Sequence, residues 1–167
     1  MIAYKDQDVK DYFVNKLSLF AENGQYVVII VDPYFGGRKP KQKIRVEEFL
    51  DFMKKFLNPV KIVWFYNSNK CPPMALRSIE TCDLFKYSFI VHDRFLFLYD
   101  TQIQAYVKHF HLGGSLNSID FNRQDKQFSV MRVSEFYEYE FSEIDKLLQH
   151  LENIYLRENF KKNWGCS

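Results

Sequence analysis

Tyr26-Val27-Val28-Ile29-Ile30-Val31-Asp32-Pro33 is the stretch on which the fold turns. It opens with six apolar residues in a row, five of them β-branched. The run is too short for a helix of ordinary length and too uniformly apolar for a strand with one wet face. It predicts a strand buried on both faces, as the inner strands of parallel sheets are. Asp32-Pro33 ends it, since proline has no N–H with which to extend a ladder.

Upstream, Val9, Tyr12, Phe13, Leu17 and Phe20 fit one face of a helix over 8–21. Downstream, Gly36-Gly37 and the basic residues Lys39, Lys41 and Lys43 predict a loop over 34–44. Val46, Phe49, Leu50, Met53, Phe56 and Leu57 then predict a second helix over 45–57, and Val60 to Tyr66 a second buried strand. A polar, proline-containing loop is expected over 67–75 and a short helix over 74–83. The middle of the chain changes character. Phe85–Val91, Arg94–Tyr99, Ala105–Leu112 and Phe128–Val133 are rich in β-formers and predict four strands. Ile144, Leu147, Leu148, Leu151, Ile154 and Tyr155 predict a last helix, which Ser142-x-x-Asp145 caps. Early alternation followed by a run of strands indicates an α/β fold, a mixed sheet with helices on both faces.

With 167 residues, and no repeat or linker, the chain is expected to form a single domain over 1–167. Apolar residues at 47% and charged residues at 26% exclude a disordered or fibrous chain. The net charge of +2 is far below that of a dedicated nucleic-acid or membrane coat. No apolar run approaches the roughly 18 residues of a membrane span. The first residues lack the apolar core of a signal peptide. The three cysteines, Cys71, Cys82 and Cys166, form no C-x-x-C. A soluble, cytoplasmic protein with reduced thiols is expected.

The reactive residues concentrate in 92–117. His92-Asp93-Arg94 opens one strand, and His109-Phe110-His111-Leu112-Gly113-Gly114-Ser115-Leu116-Asn117 closes the next. Strand alternation puts His92 and Arg94 on one face, ahead of Leu96 and Leu98. If the chain stays extended through the glycines, His111, Ser115 and Asn117 share a face too. One sheet edge then presents His92, Arg94, His111, Ser115 and Asn117. A histidine beside a cation and neutral donors suits phosphoryl transfer: the cation and amide hold oxygens, and the imidazole attacks or moves a proton.

Plainer readings stand beside this one. Arg94 is equally able to pair with Asp32, Asp93 or Glu80. Ser115 and Asn117 are also turn formers after a glycine pair. Asp32, at the end of a central strand, is placed for function or for capping the loop that follows. His109 reads as structural or solvent-facing. His109-x-His111 has metal-ligand spacing but no completing set nearby, so no metal is expected.

These segments resemble the phospholipase D superfamily, whose motif is H-x-K-x4-D followed by G-S-x-N. His92-x-Arg94 matches the first part and Gly114-Ser115-Leu116-Asn117 the second. More narrowly, Asp32-Pro33-Tyr34, His92-Asp93-Arg94-Phe95 and His111-Leu112-Gly113-Gly114-Ser115 are similar to small bacterial phospholipase-D-like proteins with an H-D-R signature. A related signature occurs in the C-terminal domains of some microtubule-interacting-and-trafficking proteins. The resemblance spans roughly residues 26–133. It implies one half of a phospholipase D fold and a phosphodiesterase that needs no cofactor and acts on nucleic acid before lipid. It also implies a homodimer, because the chain holds one motif where the chemistry uses two histidines. By the same resemblance His92, Arg94, Ser115 and Asn117 are catalytic, and Asp32, Tyr34, His111 and Gly114 contact phosphate. The sequence departs from the family in three places. Arg94 replaces lysine, which suits gripping phosphate. The family aspartate falls at Tyr99, one residue before Asp100. The spacer from Asp100 to Gly114 is longer than the family's and contains an extra strand-like segment. The alternative is an inactive module that binds phosphate, a phosphoinositide head group or a partner protein.

Overall fold

A computed structural model describes residues 6–21, 25–33, 40–66, 82–86, 93–116, 133–135 and 149. The chain divides into two units, Met1–Glu135 and Phe136–Ser167, and the elements below all belong to the first. Helix α1 (Asp6–Leu17) runs into a 3-10 turn, Ser18–Phe20. Strand β1 (Tyr26–Val31), helix α2 (Pro40–Leu57) and strand β2 (Lys61–Tyr66) follow. Then come β3 (Cys82–Lys86), β4 (Arg94–Asp100), β5 (Ala105–Leu112) and β6 (Val133–Glu135). The six strands form one sheet in the order β3-β2-β1-β4-β5-β6. β1, β2 and β3 run parallel, whereas β4 pairs antiparallel with β1, β5 with β4, and β6 with β5. The sheet is therefore mixed and the class α/β.

The expectation for 26–31 holds in full. β1 lies inside the sheet, every residue of it is buried, and its parallel neighbour β2 follows a helical crossover. Alternation puts Tyr26, Val28, Ile30, Ile62, Trp64, Leu96, Leu98, Phe110 and Leu112 on one face. There they form one core with Val9, Tyr12, Phe13 and Leu17 of α1 and Val46, Phe49, Leu50, Met53 and Leu57 of α2. Phe13 meets Phe110 edge to face at 5.5 Å. Lys10 Nζ lies 5.5 Å from the Phe52 ring, which sets α1 beside α2. Both described helices thus lie on the same face. The expected helix over 144–155 lies outside the described residues. The opposite face carries Val27, Ile29, Val31, Val63, Phe65, Phe95, Phe97 and Tyr99 and is buried as well.

Element bounds differ from expectation where the sequence carries no periodic signal. α2 begins at Pro40, inside the predicted loop, because its first turn, Pro40-Lys41-Gln42-Lys43, has no apolar residue to mark it. Proline fits a helix start, where its missing N–H has no partner to lose. At the other end Asn58 takes φ 45°, its N–H donates to Lys54 O at 3.0 Å, and Pro59 follows. That is a left-handed helix cap with a proline stop. β3 occupies Cys82–Lys86, where the end of a short helix and the start of a later strand were expected. Its register with β2, from Ile62↔Cys82 to Tyr66↔Lys86, fixes it there. β5 keeps its predicted bounds. β6 is described only at Val133–Glu135.

Asp100 closes the β4–β5 hairpin. Its carboxylate is buried and accepts from Gln25 Nε2 at 2.8 Å, the Gln102 N–H at 2.8 Å and the Ile103 N–H at 3.3 Å. Gln104, at φ 55°, completes the turn. Asp100 pairs with Tyr26, at the start of β1. Asp100 is therefore a turn former, at the opposite end of β4 from Arg94. Among the described residues, no helix is long and apolar enough to cross a membrane. Asp100→Ala strands three donors and is expected to lower stability by about 2 kcal/mol, read as a fall in the urea midpoint at unchanged slope.

Candidate functional site

The ladder between β1 and β4 ends at Val31↔Phe95. One step further, Asp32 and Arg94 stand opposite each other on the face of Ile30 and Leu96. Asp32 is 0% exposed, yet it carries the end of a central strand. Arg94 Nε lies 3.7 Å from its Oδ1. Its Oδ2 accepts from Ser115 Oγ at 2.9 Å and from the Leu116 N–H at 2.9 Å. The backbone of Asp32 is held too: its N–H donates to Phe65 O at 3.3 Å, and its carbonyl accepts from Trp64 Nε1 at 3.0 Å. An uncompensated carboxylate could not be buried this way; two donors and a guanidinium make the burial tolerable.

The geometry follows from strand polarity. β4 runs against β1, so the beginning of β4 meets the end of β1. β5 runs back along β4, so its end returns to the same place, with Arg94↔Leu112 as the last pair. Gly113 and Gly114 then bend the chain, and Leu116 drops into the core. That bend carries Ser115 Oγ and the Leu116 N–H to Asp32.

Of the three acidic partners weighed for Arg94, Asp32 lies beside it at 3.7 Å, and Glu80 lies outside the described residues. The structure brings Asp32, Arg94 and Ser115 together, with Gly114 in the adjoining bend. His111 is not with them. It pairs with Phe95 in the ladder, and its ring lies 5.5 Å from the Phe95 ring, on the face opposite Arg94. There its Nε2 lies 3.3 Å from Asp93 Oδ1. The shared face expected for His111 and Ser115 required an extended chain through Gly113-Gly114, and the bend removes that condition. His109 is buried on the same far face, its ring 5.8 Å from Phe97 and 6.0 Å from Tyr106, in a structural setting. His92, Tyr34 and Asn117 lie outside the described residues, as does Lys39. Lys41 and Lys43 fall within α2 and not in a loop. Among the described residues, no three His, Cys, Asp or Glu side chains are grouped to hold a metal ion.

Two participants escape a reading of the sequence. The Leu116 donor is a main-chain N–H and has no side-chain signature. Trp64 carries a faint signal, since a tryptophan inside an apolar strand still needs an acceptor for its indole N–H. No family model matches the chain, and no curated protein is significantly similar to it.

Asp32→Ala removes the buried acceptor that Arg94, Ser115 and the Leu116 N–H share, and is expected to cost about 3 kcal/mol or more in chemical denaturation. Ser115→Ala removes one neutral donor from a carboxylate that keeps the others, and about 1–2 kcal/mol is expected in the same measurement.

Proposed function

We propose that this chain is a phospholipase-D-like protein that binds a phosphodiester of nucleic acid through Arg94. One observation supports the reading. Arg94 is anchored by a fully buried carboxylate at the end of a central strand, while its side chain remains 22% exposed. A guanidinium is a planar, permanently charged fork of N–H donors, whose geometry matches phosphate oxygens. Anchoring it in advance lowers the ordering cost when an anion arrives. Open α/β sheets commonly place ligands at strand ends of this kind.

In the active form of this proposal, His92 attacks phosphorus. The bond to the leaving oxygen breaks as the N–P bond forms, and His92 of a second subunit gives that oxygen its proton. Water then cleaves the phosphohistidine, with the second histidine taking the water's proton. Arg94 and Asn117 hold the non-bridging oxygens. Ser115 acts through Asp32, as a positioning residue. No metal enters the scheme. The alternative is a binding module without turnover. It draws support from the placement of His109 and His111: among the described residues no imidazole stands on the face of Arg94, so turnover rests on His92 alone.

A labelled single-stranded oligonucleotide tests both. Arg94→Ala is expected to weaken binding, followed by fluorescence anisotropy, by roughly tenfold or more. His92→Ala is expected to abolish chelator-insensitive cleavage and to leave binding in place. Binding unchanged in Arg94→Ala overturns the proposal. Binding without cleavage in the unaltered protein selects the module, and preference for a phospholipid head group over the oligonucleotide replaces the substrate class.

A further inference from the structure

Asp32 does more than anchor Arg94, because it sets a negative charge beside the cation. Its carboxylate is 0% exposed, with Oδ1 3.7 Å from Arg94 Nε. The other oxygen accepts from Ser115 Oγ and from the Leu116 N–H, each at 2.9 Å. Those two donors are neutral, so they hold the carboxylate in place without cancelling its charge. The main chain of Asp32 is tied as well, through its N–H to Phe65 O and its carbonyl to Trp64 Nε1. Burial also keeps dissolved salt from screening this charge as it screens exposed ones. Arg94 thus works with a fixed counter-charge beside it.

A fixed charge of this kind separates anions by their own charge. A phosphodiester carries one negative charge. A phosphomonoester carries up to two near neutral pH, since its second proton leaves near pH 6. Attraction to Arg94 grows in proportion to the charge of the ligand, whereas the cost of stripping water from an anion grows roughly as its square. The Asp32 carboxylate subtracts from the attraction and leaves that cost untouched. Across roughly 7 Å, its repulsion of each added charge corresponds to a change on the order of tenfold in affinity. The effect is a difference, so it adds to that of any other group at the corner.

Given the phosphate binding proposed for Arg94, we infer from the buried carboxylate held beside it that Asp32 determines specificity. It sets the corner to hold singly charged phosphodiesters in preference to doubly charged phosphomonoesters. Turnover is affected in turn. Hydrolysis of a diester leaves a monoester, so the corner holds substrate more tightly than the product that keeps the phosphate.

Displacement of a labelled single-stranded oligonucleotide by two small ligands is the test. Thymidine 5′-monophosphate and its methyl ester differ in one methyl group and one charge. At about pH 8 the methyl ester is expected to displace the oligonucleotide at a roughly tenfold lower concentration than the monoester. At about pH 5, where the monoester keeps its second proton, the two are expected to agree within about twofold. Both ligands meet the same protein at each pH, so titration of the protein itself largely cancels from the ratio. Asp32→Asn removes the charge and keeps an acceptor for Ser115 and Leu116; it is expected to bring the ratio at the higher pH close to one. The comparison in the unaltered protein stands whether or not that variant folds. Equal displacement by the two ligands at the higher pH in the unaltered protein overturns the inference, as does a folded Asp32→Asn protein that keeps the full preference. Displacement by neither ligand, with oligonucleotide binding unchanged in Arg94→Ala, instead overturns phosphate binding at Arg94 and the role of Asp32 with it.

Discussion

A buried carboxylate at the end of a central strand is the constraint from which the rest of this protein is arranged. The buried carboxylate of Asp32 is met by Arg94, Ser115 and Leu116, contacts that offset the cost of taking it out of water. Each comes from a different place: the start of β4, and the bend that follows β5. One side chain thereby requires that β4 lie against β1, that β5 return along β4, and that the chain turn sharply at Gly113-Gly114. The apolar core supplies most of the driving force for folding, but it is tolerant of small shifts. The polar contacts at Asp32 are not, because a one-residue slip of β4 sends Arg94 to the opposite face.

The sheet joins two kinds of pairing at β1, with parallel strands on one side and antiparallel strands on the other. This gives its two ends different work. One gathers a strand end, a strand beginning and a returning strand end, and it holds Asp32. The other holds the closed hairpin tip, and Asp100. Both aspartates are buried, and both accept from backbone N–H groups. Asp100 serves its own turn and a neighbouring glutamine. Asp32 binds a cation and residues remote in sequence. Two aspartates with nearly the same burial therefore differ in role through their partners, and the partners follow from strand direction.

Much of this was legible in the residues. The β-branched run at 26–31 identified the buried strand, and the β-formers at 105–112 identified β5 to its last residue. The contact of Arg94 with Asp32 is among the pairings its sequence neighbourhood offers. What was not legible has physical causes. The first turn of α2 is polar, so apolar periodicity starts after the helix does. The apolar stretch around Phe85 fits more than one register, and only pairing with β2 chooses among them. His111 was grouped with Ser115 on the assumption of extended backbone, and alternation cannot be carried through a glycine bend. The Leu116 N–H was invisible because a main-chain donor leaves no mark in a side-chain pattern.

The Ser115 and Leu116 donors follow Asp32 by 83 and 84 residues. Synthesis delivers the chain from its N-terminus at roughly 5–20 residues per second. For several seconds the growing chain therefore has the residues of β1, α2 and β2 but lacks two of the donors that meet Asp32. The corner that Arg94 shares can be completed only after the chain has been synthesised past Leu116, so its closure depends on contacts of long sequence separation.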